Sequence, residues 1–319
     1  MRNWIILLSG FCLVLGVFAC NTNEFPAAPS AGFVNPTVTA TSTEIAPNAT
    51  PTDFPEPTET ALPSETVTAS PTLTQTPTLT AINCQTGQVE SESLESALLE
   101  KPLKYLIYLP PCYELQMDRD YPVAYLFHGQ TYSNTHWIDL GAVDIANRLI
   151  SDGELAPFIM VFPYDRDHYD PPTINPFGEA VLADLIPVID QAYRTIPERE
   201  YRAIGGISRG GNWAAHLGLQ HPEIFGAIGL HSTPIFSTDT NPEIVDWLEA
   251  IPIKIFPRLF IDVGKNDRWL QFTLDFVALI DQANLPHEWH LYPGFHEDAY
   301  WEAHLEQYIR WYAAPWSGE

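Results

Sequence analysis

From residue 103 onward the chain alternates short apolar runs with longer stretches whose apolar positions recur three to four apart. Leu103 to Leu109 is an apolar and aromatic run that stops at Pro110-Pro111, the pattern of a strand. Tyr121 to Phe127 repeats it and ends in His128-Gly129, and Pro157 to Phe162 repeats it again and ends at Pro163. Further runs predict strands over 201–205, 226–231, 257–263 and 287–292. Val181, Leu182, Leu185, Val188, Ile189 and Ala192 recur at helical spacing and predict a helix over 178–193. Other helices are predicted over 212–220, stopped by Pro222, over 270–283 and over 298–313. Several strands are almost continuously apolar, as strands covered on both faces must be. Alternating strands and helices predict an α/β class, with a doubly wound, mainly parallel sheet flanked by helices.

The first 83 residues follow neither period. Met1 to Cys20 carries one early cation, Arg2, and then an apolar run from Trp4 to Phe18. That run has the length of a signal-peptide core and is short for a membrane span. It ends in Val17-Phe18-Ala19-Cys20, which resembles the bacterial lipobox, where the cysteine becomes the lipidated first residue. Phe18 departs from that motif, and a cleaved signal or an uncleaved anchor are the alternatives. Each places the rest of the chain outside the cytoplasm, held at the cell envelope by an N-terminal lipid anchor only, or otherwise secreted. Residues 21–83 contain no Lys or Arg and are dominated by Thr and Pro. With few large apolar side chains such a segment cannot offset its ordering entropy, and it is read as a disordered Thr/Pro-rich stalk. Residues 84–319 are then the folded domain.

Net charge is −25. Six of the 40 acids and one of the 15 Lys and Arg precede Cys84, which leaves 34 acids against 14 cations in the folded domain. That balance opposes nucleic acid and anionic membrane surfaces as partners. Of the four cysteines, Cys12 lies in the leader and Cys20 is the lipidation candidate. Cys84 and Cys112 remain as a pair in an oxidising compartment and are expected to form a disulfide. There is no Cys/His cluster of metal-ligand spacing, and no cofactor or metal is expected.

Gly206-Ile207-Ser208-Arg209-Gly210 fits G-x-S-x-G between a predicted strand and a predicted helix. A serine hydroxyl needs a base to become a nucleophile. His296 follows the last predicted strand, where such a base belongs. His216 and His304 fall inside helices, His221 at a helix end, and His287 and His290 on a strand; packing or surface explains each better. The orienting acid should follow the preceding strand. Asp267 does so in Gly264-Lys-Asn-Asp267, while Asp262, within that strand, is the second choice and Asp275 falls inside a helix. The oxyanion of an acyl transfer needs fixed donors, expected from the backbone N–H groups of Arg209 and of Gln130 after His128-Gly129. Tyr132, Trp137 and Trp269 are expected at the mouth as substrate contacts, with His136, Trp213, Tyr300 and Trp301 near them. The segment 165–177 is expected to select substrate.

The chain from about Leu103 resembles the esterase D family of α/β hydrolases. That group includes feruloyl esterases, S-formylglutathione hydrolases, enterochelin esterases and mycolyltransferases. Tyr108-Leu-Pro-Pro-Cys-Tyr113, Tyr121 to Gly129, Gly205 to Gly211, His221 to Gly226, Gly264 to Asp267 and Pro293-Gly-Phe-His296 carry the resemblance. It implies an α/β-hydrolase fold and the same triad, Ser208, Asp267 and His296. Arg209 departs from the group, where a small residue or Met is common; a fixed cation beside the serine would favour an anionic substrate group. The expected function is extracytoplasmic hydrolysis of carboxylic esters, small or polysaccharide-linked, through an acyl-enzyme. The alternatives are acyl transfer on the same triad and a non-catalytic carbohydrate-binding surface protein.

Overall fold

Alternation inside the apolar runs decides which face of the sheet each side chain covers. In strand β3 (Val123–Phe127), Val123, Tyr125 and Phe127 join one buried cluster while Ala124 and Leu126 join another. The computed structural model describes residue 84 and residues 86–317. The leader over 1–20 with Cys20, and the stalk over 21–83, lie outside the described residues.

Eight strands form one sheet among the described residues, in the order β1-β2-β4-β3-β5-β6-β7-β8. They are β1 (Gln88–Leu94), β2 (Leu103–Leu109), β3, β4 (Ile159–Pro163), β5 (Arg202–Ile207), β6 (Ala227–His231), β7 (Arg258–Gly264) and β8 (Glu288–Tyr292). Strand β2 alone runs against the others, pairing antiparallel with both β1 and β4. From β4 to β8 every pairing is parallel. This is the α/β-hydrolase fold, with the doubly wound sheet expected from the sequence.

Helices cover both faces. One face carries α3 (Phe177–Ala180), a π-helical stretch (Val181–Leu185) and α4 (Ile186–Ala192), with α5 (Arg209–Gln220), α6 (Asn241–Ala250) and α7 (Leu270–Gln282). The other carries α1 (His136–Asp139), α2 (Ala142–Ser151) and α8 (Asp298–Ala313). Leu305, Tyr308, Ile309 and Tyr312 of α8 are completely buried at helical spacing. Each such side chain contributes roughly 1.5–3 kcal/mol by leaving water.

Three pieces of the fold were not predicted. β1 reads Gln-Val-Glu-Ser-Glu-Ser-Leu and none of it is fully buried, because it is the sheet's edge. The stretch carrying α1 and α2 has an apolar stripe built partly from Ala142 and Ala146, too small to stand out. α6 carried a local signal, the capping box of Thr240 and Glu243. Cys84 and Cys112 are bonded, with Cα atoms 4.9 Å apart. The bond ties a residue before β1 to the turn that follows the second strand, β2.

Candidate active site

Strand β5 runs straight into α5, and Ser208 is the single residue between them. Its φ of 53° and ψ of −117° turn the side chain out of the sheet. A non-glycine residue there stores strain of order 1–3 kcal/mol, held by its surroundings. The Ser208 N–H donates to the His231 carbonyl at 2.8 Å, and its own carbonyl accepts from Asn212 N–H at 3.1 Å. The flanking glycines make the turn possible. A Cβ on Gly206 would fall on the Gly210 backbone, and one on Gly210 on the Phe127 carbonyl.

His296 lies between β8 and α8, and its Nε2 is 2.9 Å from Ser208 Oγ. Its Nδ1 is 2.8 Å from Asp267 Oδ2. The other carboxylate oxygen, Oδ1, accepts the Trp269 N–H at 2.7 Å, so the acid is held at both ends. Nδ1 facing a carboxylate carries the ring proton, which leaves Nε2 as acceptor for the serine hydroxyl. Backbone bonds tie the two loops together: Lys265 N–H to Tyr292 carbonyl at 2.7 Å, and Asn266 N–H to Gly294 carbonyl at 2.9 Å. The Trp301 ring meets His296 edge-on at 5.1 Å.

Asp262 serves a different centre. It is completely buried, with Oδ1 2.7 Å from His231 Nδ1, and Oδ2 accepting the hydroxyls of Tyr300 at 2.6 Å and Tyr308 at 2.7 Å. His216 meets Asp239, His221 meets Glu223, and His304 Nδ1 donates to the Tyr300 carbonyl. None of these lines the cleft beside Ser208.

The turn after β3 is gripped from both sides. Asp165 N–H donates to His128 Nε2 at 3.0 Å, so the His128 proton is on Nδ1 and donates to the Gly129 carbonyl at 2.7 Å. The Gly129 N–H donates to His136 Nδ1 at 3.2 Å. Fixing the Gly129 carbonyl fixes the peptide plane whose other end is the Gln130 N–H, since the peptide is planar. Burial pushes the His128 pKa down, and pushes His136 from 6.5 to about 4 with partial opposition from Asp298. Both rings are therefore neutral, as their acceptor roles require.

The cation beside the serine is already paired within the protein. Arg209 is buried; its Nε donates to Asp165 Oδ2 at 2.7 Å and its Nη2 to the Asp170 carbonyl at 2.6 Å. Trp213 Nε1 donates to the same Asp165 oxygen at 2.9 Å. The expected pull of Arg209 on an anionic substrate is thus corrected: its charge is neutralised inside the protein. The clasp anchors the 165–177 segment to the residue after Ser208, while Tyr169 and Pro171 of that segment reach the cleft.

The cleft beside Ser208 has a volume of about 480 Å³. Tyr132 and Trp269 line it, as does Gln130. Tyr132 stacks on His136 at 3.7 Å and donates its hydroxyl to Asp298 at 2.6 Å. Trp137 does not line it. Its ring is 1% exposed and its Nε1 donates to the Phe127 carbonyl at 3.0 Å, because α1 turns it into the core. Phe272 and Arg268 line the cleft and were not singled out in the sequence.

The sequence profile described as "Putative esterase" matches residues 96–312. The chain belongs to that family. It is the group whose motifs were read above, and its enzymes act on ester bonds. An endo-1,4-beta-xylanase/feruloyl esterase of Xylanibacter ruminicola is 35% identical over 119 residues, which is 35% of this chain and 16% of the relative. The chain thus spans only a small part of that relative's length. A ferulic acid esterase of known structure is 25% identical, with a TM-score of 0.63, over 72% of this chain and 98% of the other. The fluorophosphonate-binding serine hydrolase F of Staphylococcus aureus has the same fold, with a TM-score of 0.62 at 18% identity over 72% of this chain and 99% of its own.

Two neutral buried histidines have a consequence for pH. Between pH 6.5 and about 4 the unfolded chain binds a proton at residue 136 that the folded chain does not. Stability present above pH 6.5 is therefore lost as pH falls toward 4, at up to about 1.4 kcal/mol per pH unit. Thermal melting from pH 7 to pH 4 should show that loss. His136→Asn, whose side-chain oxygen takes the place of Nδ1, should reduce the slope; an unchanged slope would mean that His136 is protonated in the fold.

Proposed function

We propose that the chain is a serine carboxylesterase that works through an acyl-enzyme on Ser208. The 2.9 Å approach of His296 Nε2 to a hydroxyl held on a strained elbow carries this reading. His296 takes the Ser208 proton as Oγ bonds to the ester carbonyl carbon. Asp267 keeps the ring in the tautomer that can accept it and stabilises the cation formed. The oxyanion lies against the N–H groups of Arg209 and Gln130. The first is free by position at the start of α5, where no earlier turn supplies an acceptor. Each such donor is worth about 10²–10³ in kcat. The ester C–O bond breaks as His296 returns the proton to the leaving alcohol. Water, deprotonated by His296, then releases the acid and restores Ser208.

The substrate is a small or polysaccharide-linked ester with an aromatic or sugar face. Trp269, Phe272, Tyr132 and Tyr169 give the cleft flat apolar walls suited to such faces. The names of the relatives, feruloyl and ferulic acid esterases, agree with it. Action outside the cytoplasm rests on the leader and stalk sequences and on the Cys84–Cys112 bond. Lipid attachment at Cys20 belongs to the same reading.

Acid quenching during turnover of a 4-nitrophenyl ester should trap the acyl group on the peptide that holds Ser208, read by mass spectrometry. Steady turnover with no acylated peptide would contradict the covalent route.

A further inference from the structure

One charge in the cleft has no part in the chemistry above. Arg268 stands between Asp267 and Trp269 in the loop after β7, exposed and along the cleft wall. Among the described residues it makes no ion pair and no side-chain hydrogen bond. Its guanidinium carbon is 5.7 Å from the centre of the Trp269 ring, a contact that steadies the side chain without neutralising it. It shares the cleft wall with Tyr132, on the oxyanion turn, whose hydroxyl pKa is pushed up to about 12 by burial and the neighbouring Asp298, with Arg268 pulling the other way. Arg268 and Ser208 line the same cleft.

The surroundings make that charge stand out. The chain carries a net charge of −25, yet no Asp or Glu side chain lines this cleft among the described residues. The other lining arginine, Arg209, is neutralised by Asp165 at 2.7 Å. Asp298, which is not among the lining residues, accepts the Tyr132 hydroxyl at 2.6 Å and lies 3.5 Å from His136 Nε2. Repulsion from the acidic surface farther out is screened beyond about 8 Å at physiological salt, whereas a group bound in the cleft meets Arg268 directly.

We propose that Arg268 selects esters that carry a carboxylate, holding it beside the Trp269 face while the ester carbonyl meets Ser208. A guanidinium takes a carboxylate through paired N–H bonds, and an uncharged analogue leaves those donors to water. The anchor lies on the residue next to Asp267, so selection and chemistry share one loop. Because the side chain is exposed, the advantage is modest, roughly five- to tenfold in kcat/KM at low salt. The carboxylate belongs either to the acyl part or to the alcohol part, such as a uronic acid. This inference rests on Ser208 as the reacting serine.

Two matched pairs of substrates test it with the full-length protein. One pair compares mono(4-nitrophenyl) adipate with 4-nitrophenyl hexanoate. The other compares an acylated methyl glucuronide with the same acylated methyl glucoside. The anionic member should win in at least one pair, which identifies the side, and the advantage should shrink in high salt. Arg268→Lys should keep part of it; Arg268→Gln should bring the ratio to one, with fluorophosphonate labelling checking that the site is assembled. No preference in either pair, or the same preference in Arg268→Gln, would overturn the proposal. Turnover of both members that survives Ser208→Ala would instead overturn the catalytic reading beneath it.

Discussion

Ser208→Ala should lower kcat on activated esters by about 10⁴–10⁶-fold while leaving the melting temperature within a few degrees. The hydroxyl is the only group removed, and its partner is His296 Nε2 rather than a core side chain. The turn itself is fixed by backbone bonds to His231 and from Asn212, which alanine retains. Residual turnover would report the oxyanion donors and the cleft alone. A loss of only a few fold, on a folded protein, would place the reacting group elsewhere.

The second large effect separates two aspartates that lie five positions apart on one strand and its loop. Asp267→Asn should cost about 10⁴-fold in kcat, because the amide no longer holds His296 in the accepting tautomer, with little change in stability. Asp262→Asn should do the reverse. Its carboxylate accepts two tyrosine hydroxyls and faces His231 in a completely buried cluster. An amide there turns an N–H₂ toward groups that donate, a loss of about 3–5 kcal/mol by analogy with other broken buried pairs. Measuring kcat and the denaturation midpoint for both variants distinguishes them. Equal rate losses at equal stability would mean that Asp262 also acts on the base.

That contrast shows what the sequence could and could not reveal. Position in the chain separated the two carboxylates: one followed the strand and one lay within it. G-x-S-x-G was legible because the close backbone approach at Gly206 and Gly210 excludes any side chain, so the residue types record the turn. The order serine, acid, histidine was legible because each falls after a strand that its own periodicity marks. Side-chain direction was not. Trp137 looked like a cleft residue because aromatic type says nothing of orientation, and α1 turns it toward Phe127. Arg209 looked like a substrate anchor because its partner, Asp165, lies 44 residues away on another loop. His128 and His136 gripping Gly129 could not be foreseen either, since two of the three bonds depend on how loops fold over the turn.

The most direct measurement treats the full-length protein and its Ser208→Ala form with a fluorophosphonate probe and maps any adduct by mass spectrometry. A single adduct on Ser208, absent from the variant and reduced in Asp267→Asn, is the predicted result. A folded protein that takes no label, or takes it on another residue, would contradict the account.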